Sequence, residues 1–132
     1  MLVGGAAGRF VGPEALTMPL TYEDTRAAGA TLGSGAVVVF DETTDMLDIL
    51  RRIAAFFRDE SCGQCVPCRV GTVRQEELLA RLIAGRTRGT VDDELSLLSE
   101  LGRVMRDASI CGLGQTANDA VATGVRLAGV RP

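Results

Sequence analysis

"MLDILRRIAAFFRDESCGQCVPC", residues 46–68, runs a helix-period pattern straight into a cluster of thiols, and the fold is read from that junction. Met46, Ile49, Leu50, Ile53, Phe56 and Phe57 recur at i, i+3, i+4, i+7, i+10 and i+11, which places them on one helical face. Asp48, Arg51, Arg52 and Arg58 fall mostly on the other. The pattern predicts a helix from about Thr44 to Asp59, capped by Thr43 or Thr44. It ends at a loop holding Cys62, Cys65 and Cys68 at equal intervals.

Working outward, Pro67 suits the first position of a second helix, which should end near Gly85 with Val70, Val73, Leu78, Leu79, Leu82 and Ile83 on its apolar face. Thr90 followed by Asp93 has the form of a capping pair for a third, burying Leu95, Leu98, Leu101, Val104 and Met105. A fourth is predicted from about Thr116 to Leu127, small on one side through Ala117, Ala120, Val121, Gly124 and Ala128. The fold class expected is mainly α, a four-helix antiparallel bundle over 44–132. Residues 1–43 read as a Gly-rich connecting segment with one or two short strands, the best of them at Ala36–Phe40. The glycines at 33 and 35 precede that strand, whereas a phosphate-binding loop needs strand, then glycines, then helix.

Composition removes several classes of function. A net charge of −3 and 4% aromatic residues supply neither a basic stripe nor stacking platforms, so no nucleic-acid partner is expected. No apolar run is long enough to insert in a membrane, and the chain reads as cytoplasmic. With no histidine, no nucleophile beside a plausible base, and Asp92 and Asp93 placed where they serve a helix dipole, the chain has no catalytic constellation of its own.

In a reducing compartment clustered thiols hold metal or do redox work more readily than they pair as disulfides. Cys62, Cys65 and Cys68 lie between the first and second helices, and Cys111 between the third and fourth. In an up-and-down bundle those loops share one end, so the four thiols form one candidate site. Zinc commonly takes two C-x2-C pairs, while a three-plus-one division favours a [4Fe-4S] cluster. The absence of histidine excludes a Rieske-type centre. A structural zinc- or cluster-bearing assembly module without electron transfer stays open as the alternative. Gly63, Gly112 and Gly114 bring bare backbone close to the sulfurs, and Arg69 and Arg74 add positive charge; Arg69 reads equally well as a solvated helix residue.

"ESCGQCVPCRVGT" (60–72) together with "SICGLGQTA" (109–117) resembles the C-terminal iron–sulfur region of the NADH-binding flavoprotein subunit of respiratory complex I, and of its relatives in NAD-dependent formate dehydrogenases and NAD(P)-linked hydrogenases. "MPLTYEDTRAAGATLGSGAVVVFDE" (18–42) resembles the connection that precedes the cluster domain in those subunits, so nearly the whole chain is covered. The resemblance implies that Cys62, Cys65, Cys68 and Cys111 bind a [4Fe-4S] cluster. It implies also that the cluster receives electrons from NADH by way of FMN and passes them to other iron–sulfur subunits. FMN and NADH then belong to a preceding flavin/NADH-binding domain or subunit, whose loops have no counterpart here. Catalysis by this chain without that domain is not expected, and the resemblance leaves the parent complex open among quinone, formate and hydrogen chemistry.

Overall fold

The computed structural model describes residues 1–129; the last three residues of the helical part drawn at 44–132 lie outside the described residues. Strands β1 (Leu2–Val3), β2 (Arg9–Phe10) and β3 (Val37–Val38) form a small sheet in the order β2-β1-β3, both pairings antiparallel. The helices are α1 (Tyr22–Ala27), α2 (Met46–Asp59), α3 (Val66–Ile83), α4 (Val91–Ala108), α5 (Gly112–Thr116) and α6 (Asp119–Leu127). The fold is mainly α, and α2, α3, α4 and α6 make the four-helix bundle: α3 packs between α2 and α4, and α6 lies against α2.

The core forms where the apolar stripes meet. Leu50 and Ala54 of α2, Leu78 and Leu79 of α3, Leu98 of α4, and Ala120, Val121 and Val125 of α6 are buried in one cluster. Phe10 and Leu2 join that cluster, and the Phe10 N–H donates to Thr123 Oγ1 at 2.9 Å. The Gly-rich segment therefore contributes core as well as turns. Its expected strand at Ala36–Phe40 shortens to Val37–Val38, an edge strand with both side chains exposed. Helix α1, capped by the Thr21 hydroxyl on the Asp24 N–H, adds an element that no periodicity announced.

Helix boundaries differ from expectation for local reasons. Asp45 caps α2, its carboxylate accepting from the N–H groups of Leu47 and Asp48 at 3.0 and 3.2 Å. The Thr43 and Thr44 hydroxyls instead donate to Asp41 Oδ1, tightening the turn before the helix. Val66 begins α3 and Pro67 is its second residue, still ahead of any lost ladder bond. At α4 the Thr90–Asp93 capping box forms as predicted, both reciprocal bonds being present.

Two departures matter for the site. In the first half of α3, Val70 and Val73 are exposed, and Cys68, Gly71, Thr72 and Gln75 face inward. Ile83, Phe56 and Val104 are exposed as well, so the apolar faces expected of these helices are narrower in fact. The predicted fourth helix is α6, which starts at Asp119 and not at Thr116, and a separate short helix, α5, precedes it with a break at Ala117–Asn118. Gln75 stabilises the break: its Nε2 donates to the Ala117 carbonyl at 3.0 Å, and its Oε1 accepts from Asn118 Nδ2 at 2.8 Å. A continuous helix would occupy that carbonyl with its own ladder, so the buried amide of α3 selects the kink.

Candidate metal centre

Two loops meet at one end of the bundle. Residues 60–65 leave α2 and deliver Cys65 as the residue that opens α3; residues 109–111 leave α4 and deliver Cys111 as the residue that opens α5. Cys111 makes no side-chain cap bond to its own helix, so its thiol is left for another partner. Cys68 is buried in the first turn of α3, Cys65 is half-buried, and Cys62 and Cys111 are exposed; all four are free.

Glycine closes the two loops onto each other. A Cβ added at Gly114 would collide with Ser109 Oγ and come within 2.9 Å of Cys68 Cβ, so only the bare backbone lets α5 sit over α3. Gly71 does the same for α4: an added Cβ would meet Met105 Cγ and Sδ at 2.5 Å. Gly63 adopts a φ of +76°, the left-handed region in which glycine is the residue of least cost. Gly112 stands in open space at the start of α5.

The charges settle differently from expectation. Arg69 Nη1 donates to the Gly63 carbonyl at 3.3 Å, which ties the side chain to the first cysteine loop. Arg74 lies away from the thiols and spends its charge on Glu77, at 2.6 Å on the exposed face of α3. Arg58, at the end of α2, pairs with Glu76 and with Asp59 and so fastens α2 to α3 below the loop.

Donors converge on the inner thiols. The Ile110 N–H, from the other loop, and the Cys68 N–H hold the Cys65 thiol below the ordinary thiol range; burial opposes them, and the Ser109 hydroxyl adds to the lowering. Ser61 Oγ stands 3.4 Å from Cys68 Sγ. Sequence reasoning missed Ser61, Ser109 and Ile110. The available signal was a serine close before each thiol motif, as in "ESC" and "SIC".

With these side-chain positions, no three thiol or carboxylate groups among the described residues close on one ion-sized point. An iron–sulfur cluster fits the rest of the arrangement: an all-thiol donor set split between two loops, amide donors aimed at an inner thiol, and a glycine cradle beside it. A groove between α4 and α6, lined by Arg9, Arg103, Arg106 and Arg126, contains no cysteine. Among the described residues no helix is long and apolar enough to cross a membrane.

Known proteins are similar to the chain in sequence and in fold. The chain is 38% identical over 113 residues to the HndC subunit of the NADP-reducing hydrogenase of Solidesulfovibrio fructosivorans, an alignment covering 86% of this chain and 22% of that protein. It is 37% identical over 123 residues to the F-type subunit of the NADH-quinone oxidoreductase of Mycobacterium tuberculosis, covering 93% of this chain and 27% of the relative. The chain thus spans about a quarter of the length of the curated relatives it matches. A crystal structure of an NAD+-reducing [NiFe]-hydrogenase in the H2-reduced state superposes with a TM-score of 0.78 and 35% identity, covering 94% of this chain and 20% of that one. Residues 48–127, which take in both cysteine loops and all four bundle helices, match the NADH-ubiquinone oxidoreductase-F iron-sulfur binding region; the chain belongs to that family, and its cofactor is a [4Fe-4S] cluster.

Proposed function

We propose that Cys62, Cys65, Cys68 and Cys111 ligate the [4Fe-4S] cluster, and that the chain is the electron-transfer module of an NADH-oxidising flavoprotein. The observation that carries this reading is the meeting of the two loops, in which a Cβ at Gly114 beside one would lie 2.9 Å from the Cys68 Cβ of the other. When bound, the cluster takes up and releases single electrons. The chain's own residues prepare its bed. The amides of Ile110 and Cys68 favour the ionised Cys65, Gly114 admits the buried Cys68, and Arg69 fixes the loop backbone at Gly63.

Hydride removal from NADH needs a flavin held against the nicotinamide, so the pair of electrons must be divided elsewhere. We assign that step to FMN in the preceding flavin/NADH-binding domain or subunit, with residues 1–43 as the connection to it and 44–132 as the cluster domain. Other iron–sulfur subunits of the parent complex receive the electrons. In such a complex the chain stays on the cytoplasmic side, peripheral to the membrane.

Anaerobic reconstitution with iron and sulfide tests the reading. The expected product is brown, holds about four irons per chain, bleaches with dithionite, and stays oxidised with NADH until the flavin domain is added. A colourless protein holding one zinc would overturn cluster ligation. Rapid bleaching by NADH alone would overturn the division of labour between the domains.

A further inference from the structure

Among the described residues the Ser109 hydroxyl has no nitrogen or oxygen partner, and the Cys65 thiol is the group it faces. Among the described residues its Oγ is the buried side-chain nitrogen or oxygen atom with no hydrogen-bond partner. Leaving a buried hydroxyl unpaired costs about 1–3 kcal/mol, so such an atom points to a missing acceptor. The backbone around it is fully engaged: the Ser109 N–H donates to the Met105 carbonyl at 3.1 Å, and the Ser109 carbonyl accepts from Gln115 Nε2 at 3.0 Å. The residue is therefore clamped, with its side chain turned into the space between the loops.

What lies in that space is sulfur. The hydroxyl sits beside the Cys65 thiol. On its other side is Gly114, where the Cβ that is missing would have touched both Ser109 Oγ and Cys68 Cβ. No described hydrogen bond or ion pair reaches this oxygen from a carboxylate, carbonyl or amide. A lone donor beside a half-buried thiol has one acceptor that suits it, the thiolate that forms when the cysteine binds metal.

We propose that Ser109 Oγ–H donates a hydrogen bond to the Cys65 thiolate of the loaded cluster and thereby raises the cluster's reduction potential, as a positioning and tuning residue that is not a ligand. The proposal rests on Cys65 being a cluster ligand. Reduction adds one electron, whose charge spreads onto the thiolates, so a donor to a thiolate stabilises the reduced form more than the oxidised one. The backbone amides of Ile110 and Cys68 act in the same sense, but only the hydroxyl can be removed by changing a side chain.

The test is redox titration of the reconstituted full chain, followed by electron paramagnetic resonance, in the parent, Ser109→Ala and Ser109→Thr. Expected is an Ala variant with the parent's iron content, a midpoint displaced to more negative potential, and a Thr variant nearer the parent. The reduced-to-oxidised ratio at fixed potential should fall roughly threefold to tenfold in Ala, and tenfold corresponds to 59 mV for a one-electron couple. A second readout is the set of exchangeable-proton couplings to the reduced cluster, which should lose one member in Ala. Ala at the parent's midpoint with all couplings retained would overturn the proposal while leaving ligation intact. Should Ala fail to load, Ser109→Gly takes its place, judged by the same two outcomes. A parent that binds no cluster overturns ligation and this proposal together, and is recognised before any variant is made.

Discussion

The two halves of α3 are built on opposite plans. From Leu78 onward the inward face is apolar, and Leu78 and Leu79 are both fully buried in the main core. From Cys68 to Gln75 the inward face is a thiol, a glycine, a hydroxyl and an amide: Cys68, Gly71, Thr72 and Gln75. The first plan stabilises by removing carbon from water, about 1.5–3 kcal/mol for each fully buried leucine. The second gives up that gain for close approach. Gly71 admits Met105, Thr72 returns its hydroxyl to the Cys68 carbonyl at 2.9 Å, and Gln75 holds the kink between α5 and α6. One helix thus has a half that holds the bundle together and a half that shapes a site.

The strongest way to break this comparison is a paired substitution, one at each end. Leu79→Ala should lower stability by about 3–4 kcal/mol, the transfer loss plus a cavity, while the reconstituted protein still binds its full complement of iron. Gly114→Ala should cost only about 1–3 kcal/mol of overpacking, yet lose most of the iron, because the added methyl occupies the space of Ser109 Oγ and Cys68 Cβ. Urea unfolding of the metal-free proteins and iron counts on the reconstituted ones separate the two effects. Equal iron in both variants would show that the near end is as forgiving as the far one.

The same contrast explains what could be read in advance. Periodicity reports burial of carbon, so it located α2, the far half of α3 and α4, and the Thr90–Asp93 box marked where α4 begins. The even spacing of Cys62, Cys65 and Cys68 and the distant Cys111 were legible because up-and-down connectivity brings their loops to one end. Periodicity failed where polar groups do the packing. Val70 and Val73 were the apolar residues of their stretch, but Cys68, Gly71, Thr72 and Gln75 keep the i, i+3, i+4, i+7 row that faces inward. The break at Ala117 depends on Gln75, 42 residues away along the chain, and no local pattern carries that bond. Glu94, in the first turn of α4, is buried, and no local pattern announces that either.

Glu94 sharpens the comparison from the far end, where charge and not glycine joins α3 to α4. Arg81 Nε and Nη2 donate to the two Glu94 oxygens at 2.7 and 2.6 Å, and the Arg88 N–H adds a third bond at 2.8 Å. The Arg81 guanidinium, ahead of the opposing effect of burial, holds the Glu94 carboxyl below the usual carboxylate range. Arg81→Met should cost about 3 kcal/mol at pH 7, since it strands a buried carboxylate. The sign with pH follows from the lowered value. The pair's contribution is fully present above the pKa of a free glutamate, about 4.3, and is lost as pH falls through the lower folded value. The gap between parent and variant, measured by urea unfolding, should therefore be widest above pH 5 and narrow on acidification. A gap that is the same at pH 7 and pH 3 would mean that packing of the arginine stem, not the ion pair, supplied it.

The smallest expected effect concerns how α2 starts, at the end of the bundle remote from the thiols. Three residues in a row, Thr43, Thr44 and Asp45, are of N-capping type, and the periodic pattern does not rank them. The structure does. Asp45 Oδ1 accepts from the Leu47 and Asp48 N–H groups, satisfying two of the helix's free donors with a charge that also suits the positive end of its dipole. Thr43 and Thr44 are spent one turn earlier, on Asp41, whose carboxyl they hold below the usual range, Thr43 more than Thr44. Asp45→Ala should therefore cost about 1 kcal/mol, and Thr44→Ala, which removes one exposed bond to an exposed carboxylate, about half of that or less. Both should leave iron content unchanged, because α2 reaches the cysteine loop only at its other end. Thermal unfolding of the two variants side by side decides the matter. A larger loss in Thr44→Ala than in Asp45→Ala would return the cap to the threonine and make the turn at Asp41 part of the helix's own start.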